Sequence, residues 1–343
     1  MRLSILVAFL LAIVPAHADP CVDSLIGRAL DQRFSNDYVG SLKTLTELDS
    51  LIPDDPRVPF LKAAVLLAET FDTGDVRNHD QFLEEVDAAI GRTEELERSN
   101  DPRAPDFLFV RGAAYGYRGA YGLVIGPGLS SLLDGRRGLN TLKDAVEQDP
   151  DNFDAYLGLG MFTYWRSKMT SRLAWLPFVG DHREEGIAMI REAAEYGGIA
   201  RTEALGNLIL IYIQEERSDE ALAIVHELLE KYPDSRFLLR AAAVSYQQAG
   251  ALETANHYFK ALRTRIPRTT LAHYPNIIHT DLAQAHIALA QEREMEAARL
   301  CQRLLAYEIP PKETGRFEAT RSDARDMLAR INERHGDSLS TKN

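Results

Sequence analysis

Leu205–Pro233 reads LGNLILIYIQEERSDEALAIVHELLEKYP, and Leu239–Pro267 reads LRAAAVSYQQAGALETANHYFKALRTRIP; the two align without a gap, 34 residues apart. Leu205, Leu208, Tyr212, Ala221, Val225, Leu228 and Pro233 fall on Leu239, Ala242, Tyr246, Ala255, Phe259, Leu262 and Pro267. Within each block apolar residues recur every three or four positions, which predicts two helices with one buried stripe apiece. Pro233 and Pro267 cannot continue a helix and mark the passage to the next block. Asp219 and Gly250 fall in the expected links within each helical pair. Such a unit cannot bury its stripe alone, so neighbouring units must stack on it.

The same frame extends in both directions. Asp37-Tyr38 through Leu48 and Pro53 reads as the second half of an N-terminal unit, and Pro56–Leu67 with Phe82–Ile90 as a looser one. Leu108, Gly112 and Tyr115 open a unit that closes at Leu142, Ala145 and Pro150; Tyr156, Leu159 and Gly160 open the next. Leu282, Ala285, Ala297, Cys301, Leu304 and Pro310 make the last, and residues 317–334 read as a charged capping helix, followed by a polar, frayed tail at 336–343. The pattern of large, small and proline positions resembles the tetratricopeptide-repeat family. That resemblance implies an all-α fold, a right-handed solenoid of six to seven stacked antiparallel helix pairs in one domain over 19–335, clearest over 152–310. It also implies that the first helix of each pair lines a concave face.

Two units depart from this pattern in the same way. Gly112 to Gly138 and Gly160 to Gly186 are both 26 residues, where a regular unit has 12, as from Ala243 to Ala255. Each therefore carries 14 extra residues, at about 119–133 and 166–180. Both insertions are apolar, the second holding Trp175 and Phe178 with Trp165 beside it. Exposed apolar surface of that size marks a binding site, whereas packing of one insertion on the other would make it core. Stacking of equivalent positions places Tyr117, Arg118 and Tyr121 beside Tyr164, Trp165, Arg166 and Lys168, a mixture of aromatics and cations suited to an anionic or planar ligand. By the family resemblance, Asp154, Arg240, Gln247 and Gln248 would also face a partner. Asp154–Gly160 and Trp175–Asp181 further resemble a subgroup of exported bacterial repeat proteins with no agreed function.

The chain begins with Met1-Arg2, an apolar run from Leu3 to Val14, and Pro15-Ala16-His17-Ala18. This is the order of a secretory leader cleaved after Ala18, and it predicts a periplasmic protein. The run is shorter than the roughly 20 residues a membrane-spanning helix needs. The 39 basic residues, less Arg2, leave 38 against 51 acidic ones, a net −13 that disfavours nucleic acid and anionic membranes. Cys21 and Cys301 lie at opposite ends, so the reading favours two separate thiols, with Cys301 buried on a helix.

No catalytic motif is present. Gly158-x-Gly160 is not followed by glycine at 163 and is explained by the repeat. His273, His279, Asp281 and His286 form the densest cluster, but His279 and His286 are two helical turns apart, roughly 10 Å, too far to share one ion. The expectation is a non-enzymatic adaptor without cofactor or metal that binds a protein or peptide on its concave face. The alternative is a carrier of a small hydrophobic or anionic ligand in a pocket between the insertions, lined by Trp175, Phe178, Val124 and Ile125.

Overall fold

The computed structural model describes residues 20–125, 129–170, 180–267, 274–309 and 314–340. The leader at 1–18, and Trp175 and Phe178 of the second insertion, lie outside these residues. Fifteen α-helices run through the described residues, with no strand among them. They are α1 (Pro20–Phe34) with α2 (Tyr38–Leu51), α3 (Arg57–Thr73) with α4 (His79–Arg98), α5 (Leu108–Ile125) with α6 (Leu129–Gln148), and α7 (Phe153–Thr170) with α8 (Arg183–Tyr196). Then follow α9 (Arg201–Gln214) with α10 (Ser218–Lys231), α11 (Arg236–Gln248) with α12 (Leu252–Arg265), α13 (Tyr274–Ala290) with α14 (Glu294–Leu305), and α15 (Glu318–Ser340). Each pair packs on itself and on the next, and α15 covers α14. The fold is an all-α tetratricopeptide-type solenoid.

The links explain why the chain turns where it does. In five pairs the first helix ends on a residue with positive φ: Gly74 (74°) after α3, and Asn36 (63°), Glu216 (57°), Gly250 (76°) and Glu292 (58°), which share one closure. At each of these last four, the next amide reaches back five residues, as Arg217 N does to Tyr212 O at 2.8 Å and Ala251 N to Tyr246 O at 2.9 Å. This is the Schellman closure, which satisfies carbonyls left over at a helix end. Asp219 lies in the first turn of α10 rather than in the link, where its charge suits the helix dipole. The C-terminal helix also outruns its expected end, continuing to Ser340 with no proline to stop it.

The 26-residue glycine spacing has a packing cause. A Cβ on Gly160 would lie 2.6 Å from Gly186 O, and one on Gly186 2.7 Å from Gly160 O. In the α5–α6 pair a Cβ on Gly138 would fall 2.7 Å from Gly112 O, and one on Gly112 2.7 Å from the Leu142 side chain. These are the points where the two helices of a pair cross, and only glycine lets the backbones come so close. The first insertion lengthens α5 to 18 and α6 to 20 residues, against 14 each for α9 and α10. The extra turns are helix, standing beyond the crossing.

At the C-terminal end, Cys301 sits fully buried among Ala285, Ala297, Ala324, Met327 and Ile331. Burial pushes its thiol up to about 11, so it packs there as a small apolar group. Cys21 is exposed on α1.

Candidate functional site

The first helices of successive pairs touch one another, α3 on α5, α5 on α7 and α9 on α11, and so make the inner face. The array turns far enough for its ends to meet there, with α3 against α13. Asp72, near the end of α3, is the hub of this closure. Its carboxylate accepts from Arg236 Nε at 2.9 and 3.2 Å, from Asn276 Nδ2 at 3.2 Å and from the Tyr38 hydroxyl at 3.1 Å. The side chains of the Arg236–Asp72 pair are only 11% and 10% exposed. Burial, reinforced by the Asp72 charge, raises the Tyr38 pKa and keeps its hydroxyl a donor.

A second set of bonds runs beside the first. Arg33 pairs with Glu203 on α9, and Asp31 accepts from Lys231 Nζ at 2.7 Å and the Tyr232 hydroxyl at 2.6 Å. Phe34 stacks on Tyr232 with ring centroids 5.3 Å apart, and the Arg236 amide donates to Asn36 Oδ1 at 2.8 Å. Apart from Tyr38 and Asp72, 34 positions apart, the partners in these two sets of contacts are 164 to 204 residues apart in sequence, so no local pattern announces them.

Two of the residues singled out from the sequence lie within this closure. Tyr117 stacks on Phe60 at 5.2 Å, and burial, then the Glu203 charge, raises its pKa. Arg240 follows Arg236 one turn along α11; burial lowers its pKa, opposed by Asp72, and it has no hydrogen-bond partner among the described residues.

The others are spread over separate contacts. The Asp154 carboxylate accepts from the Ala200 amide at 3.1 Å and pins the link between α8 and α9; burial raises its pKa, against those amide bonds. Tyr164 is fully buried and donates to Glu215 Oε1 at 2.7 Å, where Lys168 Nζ at 2.8 Å and Arg183 Nη1, at 2.6 Å from Oε2, converge. Burial alone would raise the Glu215 pKa, but these bonds outweigh it and hold the carboxyl below its usual range. Arg118 grips Asp134 with two bonds, at 2.9 and 3.1 Å, and also pairs with Asp87. Tyr121 is buried against Phe82 at 4.4 Å. Gln248 Nε2 donates to Ile213 O at 3.0 Å, while Gln247 is half-buried. The α5 set thus turns back towards α4 and α6, and the α7 set forward to Glu215. The structure does not gather them into one group. Trp165, 40% exposed and edge-on to Tyr164, and Arg166 remain at the surface.

What remains open is apolar. Antiparallel pairing puts the start of α6 and the end of α7 on one rim of the array. Leu129, Leu132 and Leu133 open α6 at 73%, 66% and 47% exposure, and Met169 ends α7 at 80%. The spacings of three and four put the leucines on one helix face, and Met169 and Trp165 on another. The sequence carries this signal as an amphipathic spacing, with its apolar stripe left outside. Among the described residues no group of three His, Cys, Asp or Glu could hold a metal ion. Asp281 is instead bound by Arg303, and His286 Nε2 lies 2.9 Å from Asp323. No described helix is long and apolar enough to cross a membrane.

No family model and no curated protein matches the chain in sequence. Several solved structures resemble it in shape. PilW, a type IV pilus biogenesis factor, is 18% identical with a TM-score of 0.46 over 69% of this chain and 92% of its own. A tetratricopeptide protein of Thermus thermophilus is 19% identical with a TM-score of 0.40 over 65% and 98%. A tetratricopeptide-repeat protein of Parabacteroides merdae is 15% identical with a TM-score of 0.39 over 89% and 99%. These likenesses concern the fold.

Proposed function

We propose that this chain is a non-catalytic scaffold, exported to the periplasm, that binds a polypeptide partner through the apolar rim formed by α6 and α7. The observation that carries the reading is the row of Leu129, Leu132, Leu133, Trp165 and Met169, left exposed on two neighbouring helix pairs. Scattered single apolar side chains are ordinary on a surface, but an aligned group is a docking signature. The inner face supports the same choice from the other side. Its first helices are tied across by Asp72, Arg236, Asn276, Arg33 and Glu203, so a peptide would have to break buried ion pairs to lie there.

The test is affinity capture of the mature protein from its own envelope, comparing the wild type with a Leu132→Asp, Met169→Asp variant. Loss of a stoichiometric protein partner from the variant, with unchanged melting, is the expected result. Retention of the partner would place docking elsewhere. Intact-mass measurement of the same sample checks export, which predicts a chain beginning at Asp19.

A further inference from the structure

A cavity of about 450 Å³ opens between α12, α13 and α14, away from the inner closure and from the apolar rim. Its wall is basic, in a chain whose net charge is −12. Lys260 and Arg263 come from α12 and Arg303 from α14, with Tyr307 just beyond α14. The carboxylates nearby are already committed. Asp281, fully buried behind the wall, takes Arg303 Nε at 2.7 Å, and Glu296 pairs with Arg293. Arg263 Nε stands 3.9 Å from Asp281, beyond a hydrogen bond, and is buried without an acceptor. Neither the Lys260 ammonium nor the Tyr307 hydroxyl has a partner among the described residues. The Arg263 side chain as a whole is 25% exposed, so its terminal nitrogens, not the sealed Nε, are the donors it offers to the cavity, and charge-assisted hydrogen bonds from them to an anion would be strong ones.

We propose that this cavity binds a small phosphate-bearing anion, held by the Arg263 guanidinium, the Lys260 ammonium and the Tyr307 hydroxyl. The donors approach from two separate parts of the chain rather than as one planar fork. That arrangement suits a tetrahedral group, with oxygens in several directions, better than a flat carboxylate. Two cations without a hydrogen-bonded carboxylate of their own match a dianion. The volume lies within the range of small-molecule sites, so an organic group can accompany the phosphate. This site goes beyond the scaffold reading and does not depend on it.

Isothermal titration of the full mature chain at matched ionic strength, with inorganic phosphate and with glycerol 3-phosphate, tests the proposal. Saturable one-site binding is expected, weakened about ten- to a hundredfold by Arg263→Ala or Lys260→Ala, as for loss of a charge-assisted hydrogen bond. Tyr307→Phe should weaken it less, and Arg325→Ala, on α15, should leave it unchanged. Tighter binding of the ester would identify an organic phosphate as the ligand, and equal binding free phosphate. Circular dichroism checks folding, and Lys260, exposed at the cavity mouth, keeps the test valid if Arg263→Ala unfolds. No saturation by either anion at about 10 mM, or binding indifferent to both substitutions, would overturn the assignment.

Discussion

The inner closure and the outer rim are built from the same kind of helix pair and treat exposed surface in opposite ways. On the inner face, helix ends from the first two pairs meet those of the fifth to seventh, and nearly every charge there finds a partner: Asp72 with Arg236, Arg33 with Glu203, Asp31 with Lys231. On the rim, helices lengthened by the insertions carry leucine and methionine outward with nothing described against them. The closure has the character of a structural joint and the rim that of a surface awaiting a partner. On the proposed function, this array uses its concave side for its own architecture and puts recognition at an edge.

The largest expected break in that contrast comes at the hub. Asp72→Ala leaves the Arg236 guanidinium and the Tyr38 hydroxyl without their acceptor at a site about one-tenth exposed, and should cost about 3–5 kcal/mol of stability in chemical denaturation. Partner capture by the surviving folded fraction should persist. The next effect lies at the helix crossing beneath the rim. Gly160→Ala drives a methyl against Gly186 O and Ile190, and should cost about 1–3 kcal/mol in the same measurement. Gly116→Ala, with no atom within 4 Å of the added carbon, should be neutral or stabilising, by at most about 1 kcal/mol.

The pH dependence sharpens the contrast at the base of the rim. Glu215 has its pKa held down in the fold, so its contribution is fully present above the ordinary glutamate range and fades as pH falls through the lower folded value. Glu215→Gln should therefore cost about 1–2 kcal/mol at pH 7, and the gap to wild type should narrow in thermal melts as pH falls below the ordinary glutamate range. The smallest stability effect belongs to the rim itself. Leu132→Asp with Met169→Asp should change stability by no more than about 0.5 kcal/mol, because neither side chain is buried.

The parts of this architecture that repeat locally were legible in the sequence. The 34-residue phase placed α9 to α12, and Ala221, Ala243 and Ala255 are fully buried at the positions it marked. The equal glycine spacing was visible as a number. Its meaning was not, because a face-to-face crossing of backbones leaves no trace beyond the two glycines themselves. Asp72 and Arg236 were illegible for a different reason. The curvature that brings residues 164 positions apart into contact accumulates from small rotations at every stacking interface, and no single residue encodes it. The same curvature decided the candidate site. Arg240, which the family resemblance offers to a partner, lies beside Asp72 and Tyr38 only because the array returns upon itself.

Site-specific photocross-linking in the native envelope tests the central claim most directly, with the probe placed in turn at Leu132, Met169 and Gln247. The rim account predicts a shared protein adduct from Leu132 and Met169 and none from Gln247. An adduct at Gln247 alone would return the partner to the inner face and contradict it.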